Sequence, residues 1–215
     1  MLDTDGYALL PGLVSADACA RLVADYPNEA LYRSRIAMER HNFGRGEYKY
    51  FAYPLPPLIE QLRTTLYAEL APIANRWNEL LGIATRFPAD HAAFIARRHE
   101  AGQLRPTPLV LAYGPGDYNC LHQDLYGEHV FPLQVVVLLS DAFTGGELVI
   151  TEQRPRMQSR VEVIPLRRGD GAIIPVHHRP IAGTRGYYRG ILRHGVSRIR
   201  SGARHTLGVI FHDAV

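Results

Sequence analysis

Apolar residues recur every four positions at Leu58, Leu62, Leu66 and Leu70. On a helix of 3.6 residues per turn, that spacing gathers them on one face. Pro54-Leu-Pro-Pro57 opens the stretch, Pro72 is expected to break or kink it, and a continuation reaches Leu81. Ser15 has the character of an N-cap, with Asp17 in the first turn, for a helix ending near Tyr26. A further helix is expected over residues 89–101, closed by Gly102. Residues 6–10 read as a short strand stopped by Pro11-Gly12, and residues 47–53 alternate as a strand would. Residues 27–46 read as irregular, so the first half is expected to be mainly helical.

The pattern changes near Pro106. Segments 108–113, 131–140, 146–151, 160–166, 171–176 and 204–211 are rich in Val, Ile and Leu and punctuated by Gly, Pro and Asp. Many short strands so punctuated indicate a sandwich or jelly roll. The run Pro-Leu-Gln-Val-Val-Val-Leu-Leu-Ser at 132–140 is apolar at nearly every position, which marks a central strand covered on both faces. The helices of the first half are expected to supply one cover. No linker, repeat or low-complexity stretch divides the chain. The expectation is one α+β domain over residues 1–215, with a mainly helical part (1–105) covering a β core (106–215).

At 215 residues and 47% apolar composition, a substantial core is affordable and disorder is excluded. No apolar run approaches the ~20 residues that span a bilayer. The opening carries Asp3 and Asp5 and no basic region, unlike a secretory signal, so a cytoplasmic location is expected. Two cysteines, Cys19 and Cys120, are not a disulfide framework. Cys120 precedes His122 by two residues; a buried free thiol is the preferred reading, a Cys–His–Asp zinc site the alternative. Charge is uneven: residues 1–153 hold 12 basic and 18 acidic groups, residues 154–215 hold 12 and 3. The basic second half suits an anionic partner. Oligomeric state is not legible.

The chemistry concentrates at Leu121-His122-Gln123-Asp124. In an extended chain, residues i and i+2 point to the same side, so His122 and Asp124 can face one point. Two histidines and one carboxylate occupy one face of an octahedral iron(II) and leave three positions open. His194 is the candidate third ligand, and His177 its rival. An H-x-D pair alone is equally a surface histidine hydrogen-bonded to Asp124. Ten residues after His194 comes Arg204, with Thr206 two further on and on the same strand face. An arginine fork with a nearby hydroxyl suits the distal carboxylate of a two-carboxylate cosubstrate.

The segments at His122-Gln-Asp124, Gly145-Gly146-Glu147, Gly169-Asp170-Gly171 and His194-x10-Arg204-x-Thr206 together resemble the 2-oxoglutarate/Fe(II)-dependent oxygenase superfamily. The opening Asp5-Gly6-Tyr7 with Leu10-Pro11-Gly12 is similar to the lead-in of many such enzymes. The resemblance implies a double-stranded β-helix (jelly-roll) core, with Fe(II), 2-oxoglutarate and O2 as cofactors. It also implies that Tyr113 hydrogen-bonds the cosubstrate. The stretch Tyr113-Gly-Pro-Gly-Asp117 … Leu121-His-Gln-Asp124 is similar to a bacterial group associated with oxidative demethylation of damaged DNA, distantly AlkB-like. Those dealkylases place an asparagine two residues before the tyrosine; Leu111 stands there, and Asn119 is a candidate replacement.

Residues 179–204 hold Arg179, Arg185, Arg189, Arg193, Arg198, Arg200 and Arg204 with Tyr187 and Tyr188, and no acid. Cations beside aromatics suit a DNA or RNA backbone with stacked bases, which nominates Tyr187, Tyr188 and Arg189 as substrate contacts. The competing reading is a strand with solvated arginines, and residues 180–190 could equally form a lid. His41, His91, His99, His129, His205 and His212 read as surface or network residues, with His129 or His205 near the mouth of the site. The resulting expectation is a dioxygenase that hydroxylates or demethylates alkylated nucleic-acid bases. The alternatives are a hydroxylase of a protein side chain or small molecule on the same fold, and a non-catalytic cupin-like metal-binding module.

Overall fold

The computed structural model describes residues 2–125 and 130–215. The chain begins with α1 (Leu2–Asp5), β1 (Ala8–Leu10) and α2 (Ala16–Ala24). Next come β2 (Tyr32–Ala37), β3 (Gly44–Arg45), β4 (Glu47–Phe51), α3 (Pro57–Leu80) and α4 (His91–Glu100). The second half runs β5 (Leu109–Tyr113), β6 (Tyr118–His122), β7 (Leu133–Leu138), β8 (Phe143–Gly145), β9 (Leu148–Gln153) and β10 (Arg160–Ile164). It closes with β11 (Gly171–Pro175), β12 (His178–Gly183), β13 (Gly186–Val196), β14 (Ile199–Gly202) and β15 (Arg204–Val209).

Two antiparallel sheets form a jelly-roll core. The larger has the order β1-β11-β7-β15-β5-β4-β2, the smaller β10-β9-β13-β6-β3 with β12 paired to β13, and β14 pairs β8 separately. Alternation along β7 explains its unbroken apolar run. Leu133, Val135 and Val137 pack with Ile59, Leu62, Tyr67, Leu70 and Trp77 of α3. Val136, on the opposite face, packs with Leu148, Ile150 and Leu192 of the smaller sheet. The large sheet is therefore covered by helices on one side and by the second sheet on the other. The Ser15 cap is as the sequence indicates, its Oγ accepting from Ala18 N at 3.2 Å; Asp90 Oδ1 caps α4 in the same way, accepting from Ala92 N at 3.0 Å.

Several expectations need correction. The first 105 residues are not mainly helical in role, because β1, β2 and β4 complete the large sheet. The segment read as irregular holds β2, which pairs with β4 and is half-buried along most of its length. It is a sheet edge, so one row of backbone groups faces outward and its polar side chains mask the alternation. Helix α3 continues through Pro72. Pro72 and the carbonyl-bearing Ala68 are exposed, so water can take the freed carbonyl while the opposite face stays packed. That buried face is also rotated from the leucine stripe: Ile59, Arg63, Tyr67, Ala71, Ala74 and Trp77 are buried with Leu62 and Leu70, whereas Leu58 and Leu66 are only partly covered. Residues 180–190 are a β-hairpin, with Gly183 paired to Gly186 at its tip.

Candidate metal centre

His122 ends β6, and His194 sits directly opposite it on β13. The register then slips, because Val196 pairs with Asn119. Strand β6 therefore carries an extra residue, and Cys120 and Leu121 are both exposed there. The free thiol of Cys120 is thus not buried as expected, nor is it part of the ligand group. Gly195 permits the close approach of the two strands: a Cβ there would meet Asn119 O at 2.7 Å. Asp124 follows just beyond the strand end. Its Oδ1 lies 3.4 Å from His122 Nε2 and its Oδ2 lies 3.2 Å from His194 Nε2. The three donor atoms fall within 4.8 Å of one another, the geometry of a metal-binding set.

Hydrogen bonds orient the donors. His122 Nδ1 lies 2.7 Å from the Cys120 carbonyl, which can only accept. A proton is therefore held on Nδ1, and once Nε2 gives up its own proton its lone pair faces the cluster. Gln134 Nε2 donates to Asp124 Oδ2 at 2.8 Å. Burial opposes the charged form of Asp124, but the two histidines outweigh it and hold its pKa well below the carboxylate range. Burial likewise disfavours charge on both imidazoles. It prevails at His194, whose pKa is lowered, whereas the Asp124 hydrogen bond raises that of His122. One anionic carboxylate between two imidazoles is a donor set suited to a divalent cation.

The cluster opens into a cavity of about 260 Å³. Its walls include Leu109, Leu111, Val136, Leu148, Val196 and Ile210, with Tyr113, Asn119 and Thr206 as polar groups. Arg204 does not itself line the cavity; its cross-strand partner Tyr113 and its strand neighbour Thr206 do. Arg204 is 1% exposed, and its Nε and Nη1 have no hydrogen-bond partner, nor do Tyr113 Oη and Asn119 Oδ1. A buried guanidinium with unpaired donors is unfavourable unless an anion completes it. A dicarboxylate would fit this cation. Gly146 makes room for it: at φ +70°, a Cβ there would meet Arg204 Cδ at 2.8 Å.

Residues 46–214 match the family Oxygenase-NA, described as an oxygenase catalysing oxidative methylation of damaged DNA. The chain belongs to this oxygenase family. An uncharacterized protein of Mycobacterium tuberculosis is 48% identical over 167 residues, which cover 76% of this chain and 72% of that protein. Among solved structures, the oxygenase is similar to a Pseudomonas putida prolyl-4-hydroxylase, at TM-score 0.59, 14% identity and coverage of 99% and 96% of the two chains. It is also similar to a viral collagen prolyl hydroxylase from Paramecium Bursaria Chlorella virus-1, solved with 2OG, at TM-score 0.56, 15% identity and coverage of 97% and 96%. A Burkholderia pseudomallei oxidoreductase of the 2OG-Fe(II) oxygenase family matches at TM-score 0.53, 17% identity and coverage of 100% and 89%. At these identities the likeness shows the fold. Of these, the Burkholderia neighbour is described with both 2OG and Fe(II), and in this chain the His–Asp–His cluster could hold a metal ion.

Other candidates lie elsewhere in the oxygenase. Tyr187, Tyr188 and Arg189 begin β13 at the hairpin and do not line the cavity. Tyr187 lies seven positions before His194 on the strand, about 23 Å at 3.3 Å per residue. Arg179 is buried and bonded to Glu152 at 2.6 Å, a structural ion pair. His177 is not part of the ligand group. His205 points away from Arg204 and Thr206, towards Tyr26 at 5.5 Å, so it is not at the cavity mouth. His129 lies outside the described residues. No helix among the described residues is long and apolar enough to cross a membrane. Sequence reasoning passed over Gln134 and Phe43, both of which line the cavity. The signal for Gln134 was present: it is the one polar residue within the apolar run 132–139.

Proposed function

We propose that the protein is an Fe(II)- and 2-oxoglutarate-dependent dioxygenase that hydroxylates N-alkyl groups of nucleic-acid bases. The observation that carries this reading is the His122–Asp124–His194 cluster in an apolar cavity beside a buried, incompletely paired Arg204. His122, Asp124 and His194 hold the iron, and Arg204 with Thr206 holds the distal carboxylate of 2-oxoglutarate. Tyr113 and Asn119 offer buried polar atoms to the same cosubstrate. Bound together, iron and 2-oxoglutarate would supply oxygen activation coupled to decarboxylation of the cosubstrate to succinate. The apolar walls exclude water and orient a neutral alkyl group towards the metal. A hydroxylated N-methyl group then releases formaldehyde.

The nucleic-acid substrate is supported by the family description and by two surface features. Phe43, 45% exposed, reaches the cavity and stacks on His41 at 5.4 Å and 22°, a flat platform for a base. Arg185, Arg189, Arg193, Arg198 and Arg200 are exposed on the hairpin turn, on β13 and β14 and on the link between those two strands, where they can meet phosphates. A second reading, hydroxylation of a protein side chain, is favoured by the prolyl hydroxylases that share the fold.

Anaerobic titration with Fe(II) and 2-oxoglutarate tests the centre. A visible charge-transfer band should appear only with both and vanish in His122→Ala; its absence from folded wild type removes the proposal. Formaldehyde release from a methylated oligonucleotide supports the base substrate. Hydroxylation of a prolyl peptide without oligonucleotide turnover replaces it with the second reading.

A further inference from the structure

Strand β13 sends successive side chains to opposite faces of the smaller sheet. Gly190, Leu192 and His194 are buried on its inner face, where Leu192 packs with Leu148 and Ile150 and His194 joins the metal-binding set. Tyr187, Arg189 and Arg193 are exposed, with Ile191 half-buried between the arginines. This row therefore lies on the outer face, behind the metal centre. Strand β9 alternates in step. Glu152, the one acid of the two strands, is buried on the inner side and paired with Arg154 and Arg179. Val149, Thr151 and Gln153 face outward without charge, and Thr151 stands across from Arg193. Among the described residues, neither Arg189 nor Arg193 has a hydrogen-bond or ion-pair partner. Cations with no carboxylate on their own face draw an anionic partner.

We infer that the outer face of the smaller sheet holds the backbone of a nucleic-acid strand, with phosphates on Arg189 and Arg193 and a base against Tyr187. The inference rests on the nucleic-acid reading above and adds where the strand lies. The two arginines are four residues apart, about 13 Å along β13, so each meets its own phosphate. The exposed ring of Tyr187 in the same row favours a nucleic acid over an acidic protein, because a base stacks on it. Strands β6 and β3 follow β13 in the sheet order, and two strand spacings put the β3 edge about 10 Å away. Phe43, which lines the cavity, immediately precedes β3. A strand held on the outer face thus reaches the metal by turning one base over this edge. The phosphate contacts fix its position and read no sequence.

The test uses the full chain and a labelled, unmodified single-stranded oligonucleotide of about 20 nucleotides, titrated between about 50 and 200 mM salt. Arg189→Ser with Arg193→Ser should lower affinity about 20-fold near 0.1 M salt and flatten the slope of log affinity against log salt by about 1.4, the loss of two phosphate contacts. Arg86→Ser with Arg97→Ser removes two exposed arginines beside and on α4, on the far side of the large sheet, and should change affinity less than about twofold. Thr151→Glu should weaken binding and Thr151→Lys strengthen it, each about fivefold, whereas a folding defect would weaken both. A first double variant with the wild-type slope, or with no greater loss than the second, overturns the inference. So does polyglutamate that binds through Arg189 and Arg193 while the oligonucleotide ignores them, which would make the occupant an acidic protein. If wild type binds no oligonucleotide even at about 50 mM salt, the nucleic-acid reading itself fails; wild-type binding that the variants leave unaltered sinks only the placement.

Discussion

At the scale of single residues, the site depends on how one buried cation is left. Arg204 is enclosed by Tyr113 and Phe143, whose ring centroids lie 5.7 and 5.9 Å from its guanidinium carbon. Two of its nitrogens lack partners. Charge-assisted hydrogen bonds to a carboxylate contribute about 1.5–3 kcal/mol each. Arg204→Met should therefore weaken 2-oxoglutarate binding by roughly 10- to 150-fold. Mn(II) affinity should change by less than about threefold, because Arg204 is not among the metal-ligating groups. Calorimetric titration of each ligand checks the split; equal loss of both would show that Arg204 supports the fold and not the cosubstrate. His122, Asp124 and His194, which the structure brings together, and Arg204, which it buries nearby, stood out in the sequence because their chemistry is unusual for their position. Gln134 was passed over because one amide in an apolar run is easily absorbed into the strand around it.

Elements were legible where one face is buried and the other is not, or where both are buried. The six apolar segments of the second half are all strands, and β7 is the clearest. Strand β6 was not among the expected strands, and β13 stood only as one of two competing readings, although they carry His122 and His194. Tyr118–His122 is half-buried or exposed throughout and bulged, and β13 alternates glycine, tyrosine and arginine. Their partners, not their own periodicity, make them strands. Pro72 is the reverse case, a breaker overruled by packing. The buried Tyr67, Leu70, Ala71 and Ala74 hold α3 continuous around it. A proline in a helix interior is about 3 kcal/mol worse than alanine, offset in part by about 0.4–1 kcal/mol of unfolded-state entropy. Pro72→Ala should thus stabilise the protein by about 2–2.6 kcal/mol, read as a higher urea midpoint at unchanged slope. An unchanged midpoint would mean that the turn before Pro72 already has its carbonyl satisfied.

Across the whole molecule, the layering followed from the apolar pattern, but the charge asymmetry was only partly a surface property. Arg179 and Arg204 belong to the interior, and the other five arginines of residues 179–204 are exposed. Histidine burial has a larger global consequence. His91, His178 and His212 are 3%, 7% and 1% exposed. Burial lowers their pKa values from the ordinary 6.5 to about 4, about 3 and about 4. His91 Nε2 bonds the Phe211 carbonyl at 2.9 Å, and its ring packs 4.9 Å from that of Tyr67, so the residue ties α4 to the core. Below pH 6.5 the unfolded chain binds protons at these three positions and the folded chain does not, so stability falls as pH falls. Each group contributes about 1.4 kcal/mol per pH unit between its unfolded and folded pKa. His122, with a raised pKa, works in the opposite sense, but its contribution is complete below pH 6.5 and is lost only as the pH rises above it, so it does not offset the decline. The carboxylates of Asp124 and Asp213, held low by their partners, add their own loss only as the pH falls below the ordinary 3.8. Urea unfolding at pH 7.5, 6.0 and 5.0 should therefore show little change above 6.5 and a steep decline beneath it, well before carboxylate protonation begins. His178→Gln, which removes one neutral imidazole away from the metal centre, should flatten that decline by about 1.4 kcal/mol per unit. A wild-type profile that is level from pH 7.5 to 5.0 would mean that these histidines are charged in the folded protein and that the buried network around them opens to admit water.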